Sequence, residues 1–217
     1  MGSPTQFRDE AKPLVIVVDD DKSARDALEG LFRSVGLDVV LFSAAADLLL
    51  FRLPDRPGCI ILDVRLPGTS GLEVHRMLLA KGYTLPVIFI TGHGDIPMSV
   101  KAMKDGAVDF FCKPFRDQDL IDAVHLAIST DKERHRSLAD VSELRGLFEA
   151  LRLREREVLE HVAAGLLNKQ IAGVMGLSEN TIKVHRSSVM RKMKARSLAS
   201  LLQSVQRLKP VHQAQGF

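Results

Sequence analysis

The stretch PLVIVVDDDKSARDAL, residues 13–28, decides how this chain is read. An apolar run at 14–18 ends in three consecutive aspartates, Asp19, Asp20 and Asp21, whose mutual repulsion needs an offset. A helix beginning at Lys22 explains one of them. A capping carboxylate accepts hydrogen bonds from free first-turn amides and suits the positive end of the helix. Two aspartates are left over. The plain reading is a charged turn; the sharper one is a cation site that takes a further carboxylate from elsewhere in the chain.

Four more short runs rich in Val, Ile and Phe follow, at 39–41, 59–62, 87–90 and 110–112. Helical patterns lie between and after them, at 24–35, 46–51, 72–81, 98–104 and 120–128. This alternation predicts an α/β domain with a five-stranded parallel sheet, doubly wound, covered on both faces. In such folds the ligand site lies outside the C-terminal strand ends. Those ends carry Asp19 and Asp20, then Asp63 after CIIL, Thr91 after VIFI, and Lys113 after FFC. Each has an ordinary structural explanation alone, but together they compose a phosphoryl-transfer site. Asp19, Asp20 and Asp63 form a hard oxygen cluster suited to Mg²⁺ (or Mn²⁺), and one carboxylate then serves as nucleophile. Thr91 is placed to hydrogen-bond a phosphoryl oxygen, and Lys113 to pair with another as a mobile point charge. Pro114 biases Lys113 towards an extended conformation, and the bond between them is open to the cis form. The turn after the first strand reads DDDKSA, without the glycines of a dinucleotide site, and no P-loop occurs. An acid-nucleophile phosphatase is an alternative, although no cap insertion is evident.

The 217 residues are 46% hydrophobic and 26% charged, as in ordinary globular proteins, and the length fits one or two domains. No apolar run approaches the ~18 residues of a membrane span. Arg8, Asp9 and Glu10 stand where a signal peptide needs an apolar segment, so residues 1–12 read as a disordered lead. Cys59 and Cys112 lie in strand-like runs without paired spacing and read as buried thiols in the cytoplasm. Seven histidines show no metal-ligand spacing; His93 is placed to tune phosphate chemistry or simply to face solvent. Charge is uneven along the chain. Residues 1–128 hold 14 Lys/Arg against 18 Asp/Glu, net −4, whereas 129–217 hold 16 against 9, net +7. A basic half joined to an acidic half points to a polyanion binder attached to something else.

Residues 129–150 are highly charged, with Val141, Leu144, Phe148 and Leu151 at 3-4-3 spacing. This is either a short coiled-coil seam or an amphipathic helix packed on its own domain. Beyond Arg154 four helices are expected, at 155–164, 169–175, 180–193 and 198–208, with Ser178 and Ser197 as N-caps. A short helix, a Gly-containing turn and a longer basic helix make a helix-turn-helix pattern. The second helix would enter the major groove with Lys183, Val184 and Ser187 near base edges, and Thr181 is a further DNA-binding candidate. Lys169, Arg186, Arg191, Lys192 and Lys194 would reach phosphates. A helical bundle with a basic face is the plainer alternative.

VVDDD (17–21), LDVRLPGTSGLE (62–73), ITGHGD (90–95) and FFCKPF (110–115) resemble the receiver domain of bacterial two-component response regulators. REREVLEHVAAGLLNKQIAGVMGLSENTIKVHRSSVMRKM (154–193) resembles the four-helix DNA-binding domain of the NarL/FixJ/LuxR class, and VMRKMKARSL its FixJ-like branch. The resemblance implies a flavodoxin-like strand order and a receiver over 13–130. It also implies a helical linker over 131–149, a helix-turn-helix domain over 150–210 and a tail over 211–217. Asp63 would accept phosphate from the histidine of a cognate sensor kinase. Asp20 and Asp63 would bind the metal with Asp19 in support, and the backbone carbonyl of Arg65 would complete the ligands. Thr91 would turn towards the phosphate as Phe110 rotates inward, and Phe111 would be core. The output would be homodimerisation and binding of double-stranded DNA, with RNA polymerase as partner and no membrane contact. The chain would then be no enzyme beyond its own phosphoryl transfer and autodephosphorylation. The alternative is a phosphate-independent regulator whose receiver only dimerises. Two departures from the class stand out. Arg152 occupies a usual Ser/Thr cap position, at an expected cost of ~0.5–2 kcal/mol to the first helix. Ser187 stands where some relatives carry a base-reading Lys.

Overall fold

The sheet is built as the alternating runs demand. The computed structural model describes residues 12–92 and 96–208; most of the 1–12 lead, His93 and the 211–217 tail lie outside them. The chain divides into two compact units, Met1–His135 and Arg136–Phe217.

In the first unit, β1 (Leu14–Val18), β2 (Asp38–Phe42), β3 (Gly58–Asp63), β6 (Val87–Thr91) and β7 (Asp109–Cys112) pair in parallel. Their order is β2-β1-β3-β6-β7, so the chain starts near the middle of the sheet and winds outwards in both directions. A two-stranded ribbon, β4 (Arg65–Leu66) and β5 (Thr69–Ser70), follows β3 and was not expected from sequence, being too short to show periodicity. Successive strand side chains point to opposite faces, so each strand feeds two cores. Ile16, Val18, Ile60, Leu62 and Phe89 face α2 (Ala45–Leu50), α3 (Gly71–Ala80) and α4 (Ile96–Lys104). Val15, Val17, Ile61, Ile88 and Ile90 face α1 (Lys22–Ser34) and α5 (Asp117–Glu149), through Leu28, Phe32, Leu120 and Val124.

Three features depart from expectation. The helix expected at 120–128 and the linker at 131–149 are one helix, α5 (Asp117–Glu149), because no proline interrupts it and Gly146 is its only glycine. Cys59 is buried but Cys112 is exposed, since β7 is an edge strand and Cys112 ends it. For the same reason Phe111 is only half-buried, against Phe115 at 6.0 Å.

The second unit is helical: α6 (Leu153–Ala163), α7 (Asn168–Met175), α8 (Glu179–Lys192) and α9 (Leu198–Leu208). Ser178 accepts the Thr181 N–H at 3.1 Å and Ser197 the Ser200 N–H at 3.1 Å, closing the first turns of α8 and α9. Ile171, Ile182, Val189, Met193 and Leu201 form the core with Leu151, Val158 and Leu159. Leu147 and Phe148, from the end of α5, pack against that core. Residues 148 and 151 of the expected seam therefore serve their own unit's interior.

One core residue of the first unit breaks the apolar pattern. His75 of α3 is buried against Phe89, ring centroids 5.6 Å apart, and its Nδ1 has no hydrogen-bond partner. Burial holds its pKa below the ordinary 6.5, partly countered by Asp105. Below pH 6.5 the unfolded chain therefore takes a proton that the folded chain resists, and stability falls with pH. His75→Leu is expected to gain stability over wild type in urea denaturation, by a margin that widens as pH drops below 6.5. An equal margin at pH 8 and pH 5.5 would show that the imidazole does not titrate on unfolding.

Candidate functional site

At the C-terminal edge of the sheet the three opening aspartates separate by role. Asp21 is the helix cap: its Oδ1 accepts the Ser23 N–H at 2.8 Å. Asp19 is fully buried, and its Oδ1 accepts the Asp21 N–H at 2.9 Å. Asp20 is exposed beside it. Asp63 arrives from β3, and carboxylate oxygens of Asp19, Asp20 and Asp63 lie within 4.8 Å of one another.

Lys113 reaches into this cluster from the end of β7. Its Nζ is 2.6 Å from Asp19 Oδ2 and 3.5 Å from Asp63 Oδ2. Burial disfavours the ammonium, but contacts with Asp19 and Asp63 outweigh it and hold the pKa of Lys113 above its usual value. Burial also raises Asp63, with the repulsion of Asp19 added; the Arg65 N–H, 3.0 Å from Asp63 Oδ1, and Lys113 oppose the rise. That N–H bond draws the Arg65 backbone alongside the cluster. The Lys113–Pro114 bond is cis. Thr91 is buried at the end of β6, its carbonyl accepting the Lys113 N–H at 2.7 Å. Phe110 is half-buried, its ring 6.5 Å from Phe89.

Two residues that sequence reasoning passed over support the site. Arg25 Nη1 donates to the Asp19 carbonyl at 2.6 Å, tying α1 to the end of β1. Gly71 opens α3 directly under Asp63; a Cβ there would lie 2.2 Å from the Asp63 carbonyl oxygen, so only glycine fits. Arginine four residues beyond a cap was a weak signal, and the glycine had no signal without the fold.

Crowded carboxylates with a single lysine among them suit a hard divalent cation, which prefers oxygen ligands and retained water. Asp19, Asp20 and Asp63 fit Mg²⁺ on this ground.

In the second unit Lys183, Val184, Ser187 and Arg191 are exposed along one side of α8, at helical spacing, and Val184 is 62% exposed. Lys169 is exposed on the first turn of α7. Thr181 Oγ1 bonds the Ser178 hydroxyl at 2.8 Å within the cap, and Arg186 Nη1 donates to Asn168 Oδ1 at 2.7 Å. Lys192 and Lys194, expected to reach phosphates, each have a carboxylate partner within the second unit. Lys194 pairs with Glu143 at 2.7 Å. Lys192 Nζ lies 2.6 Å from Glu155 Oε2, on the side of α8 that meets α6.

Glu155 is the hub of that contact. It is 5% exposed, accepts the Arg152 N–H at 2.7 Å and takes the Ser188 hydroxyl at 2.7 Å on its other oxygen. Arg152 has no side chain able to cap, so Glu155 supplies the missing half of the helix start.

Comparison with known proteins assigns a family to each unit. Residues 15–125 match the response regulator receiver domain, and residues 149–205 match the bacterial regulatory proteins of the luxR family. The chain is a response regulator of the NarL/FixJ/LuxR class. It is 53% identical over 191 residues to nodulation protein W of Bradyrhizobium diazoefficiens, covering 88% of this chain and 84% of that one. It is 45% identical over 188 residues to the transcriptional regulatory protein FixJ of Azorhizobium caulinodans, covering 87% and 89%. The solved structure of the response regulator StyR superposes with a TM-score of 0.81 at 46% identity, over 91% of this chain and all of that one. The regulator thus joins a receiver to a LuxR-type DNA-binding domain. Among the described residues no helix is long and apolar enough to cross a membrane.

The Lys192 hydrogen bond holds the pKa of Glu155 down to about 2, with help from the Arg152 N–H and Ser188. Stability from this hub is complete above the ordinary 4.5 and is lost as pH falls from there through about 2. Glu155→Gln is expected to destabilise the second unit at pH 7, read as faster hydrogen exchange in α6. The difference from wild type should close towards pH 2; a gap independent of pH would assign it to packing.

Proposed function

We propose that the regulator is a phosphorylation-switched transcription factor, with a receiver over 13–130, a helical linker over 131–149 and a DNA reader over 150–210. A cognate sensor histidine kinase presents a phosphohistidine; a carboxylate oxygen of Asp63 attacks phosphorus, and the P–N bond breaks as the P–O bond forms. The supporting observation is the convergence of Asp63 with Asp19, Asp20 and Lys113 at one sheet edge. When bound by Asp19, Asp20, Asp63 and the Arg65 carbonyl, Mg²⁺ or Mn²⁺ offsets the charge of the phosphoryl oxygens. Lys113 remains beside Asp63 to pair with a phosphoryl oxygen, and the Thr91 hydroxyl hydrogen-bonds another. Phe110 follows Thr91 inward, and the face around β7 changes. The chain's own chemistry ends there, with hydrolysis of the acyl phosphate resetting it.

The output is homodimerisation and duplex binding in the cytoplasm, with RNA polymerase as the downstream partner. Two linked half-sites gain affinity through effective concentration, so a modest shift towards dimer changes occupancy strongly. Lys183, Val184 and Ser187 read base edges, while Lys169 and Arg191 hold phosphates. Thr181 and Arg186 shape the edges of that face through their contacts with Ser178 and Asn168.

Asp63→Asn is expected to abolish acyl-phosphate labelling by a small phosphodonor with Mg²⁺, measured by intact mass. Retained single-site labelling would move the acceptor elsewhere. In duplex binding, Lys183→Ala should relax sequence preference, whereas Arg191→Ala should weaken all duplexes and lower the salt slope by about 1. Equal, uniform losses would mean that α8 lies differently in the groove.

A further inference from the structure

The receiver match ends at residue 125, yet the first unit continues to His135; Ala127 and Ile128 pack those extra turns on the core, and a buried carboxylate ties them to the sheet. Asp131 of α5 is 1% exposed. Its Oδ2 accepts the N–H of Gly58, the first residue of β3, at 3.0 Å. Its Oδ1 takes Arg134 Nε at 2.8 Å and Nη2 at 2.7 Å. His135 closes the cluster, with Nε2 3.5 Å from Asp131 Oδ2 and Nδ1 3.4 Å from the exposed Asp55. Gly58 leaves no room for any other residue, because a Cβ would lie 2.3 Å from the Leu14 carbonyl oxygen.

Breaking this contact leaves the buried Gly58 N–H unpaired and costs the carboxylate its partner outside α5, which is unfavourable. Sliding α5 by one residue shifts it 1.5 Å and turns it by about 100°, which would carry Asp131 away from Gly58 altogether. Arg134 and His135 are on α5 itself and would travel with the carboxylate; Gly58 would not. The strand that Asp131 grips at its first residue is the strand that carries Asp63 at its last. The helix it belongs to continues without a break to Glu149, where Leu147 and Phe148 pack into the second unit's core.

We propose that Asp131 is a positioning residue: by latching α5 to the start of β3 it fixes the rotational phase of the helix that carries the output. The proposal rests on the phosphorylation-switched reading above. Phosphorylation at Asp63 does not require the latch, but its effect on DNA binding does.

The test uses the full chain, with acyl-phosphate labelling and the gain in duplex affinity caused by beryllofluoride plus Mg²⁺ measured side by side. Asp131→Ala is expected to label like wild type within about twofold while losing most of the affinity gain. Asp131→Asn, which still offers an oxygen to Gly58, should keep most of it. Because Asp131→Ala also removes packing, a second series leaves the latch intact and alters phase alone. One alanine inserted between Ser137 and Leu138 should abolish the gain, and seven residues, close to two full turns, should restore it. A wild type that binds DNA equally with and without beryllofluoride would overturn the underlying reading and the latch with it. A gated wild type whose gain survives Asp131→Ala would overturn the latch alone, and a gain that survives the single insertion would overturn its role in setting phase.

Discussion

Three carboxylates at the mouth of a parallel sheet repel one another, and the local structure is arranged to hold them there. Asp19 is buried outright and gives one oxygen to the Asp21 N–H and the other to Lys113. Asp63 is buried beside it and accepts the Arg65 N–H. Lys113, arriving from the end of β7, is the only cation within ion-pair distance of both among the described residues. A lysine suits the place because its charge sits on a flexible stem and can follow an incoming anion, which a rigid guanidinium fork would do less readily. The parallel sheet makes the arrangement possible: all five strands end on one edge, and four of those ends carry the site.

Much of this was legible in the residues because strand periodicity and strand-end chemistry are local signals. The core of each of the five sheet strands could be marked from sequence within a residue or two of its ends, and Asp19, Asp20, Asp63, Thr91 and Lys113 fell at those ends. What escaped notice depends on distance through space. Gly71 matters only because α3 passes beneath Asp63. Cys112 is exposed only because β7 has a neighbour on one side. The break expected near residue 130 did not occur, since charge alone does not end a helix when glycine and proline are almost absent.

The second unit shows the same limit more sharply. Counting basic residues along 168–209 gives the charge but not its partners. Lys192, four residues beyond Ser188, shares the side of α8 that meets Glu155 and pairs with it. The weak cap at Arg152 and the buried Glu155 are two sides of one arrangement, because the glutamate that starts α6 also fastens α8 to it. A single sequence shows each residue's type but not which neighbour its helix face meets.

The division of labour along α8 bears on how such proteins diversify. Ser188 and Lys192 are bound to Glu155, and Ile182 and Val189 are buried, whereas Lys183, Val184, Ser187 and Arg191 point away from the core. Substitutions on the outer side alter what the helix recognises with little penalty to folding, and those on the inner side do the reverse. A gene copy can thus drift towards a new operator one residue at a time while the scaffold beneath stays intact. The two properties are carried by opposite faces of the same helix, and mutation can reach them separately.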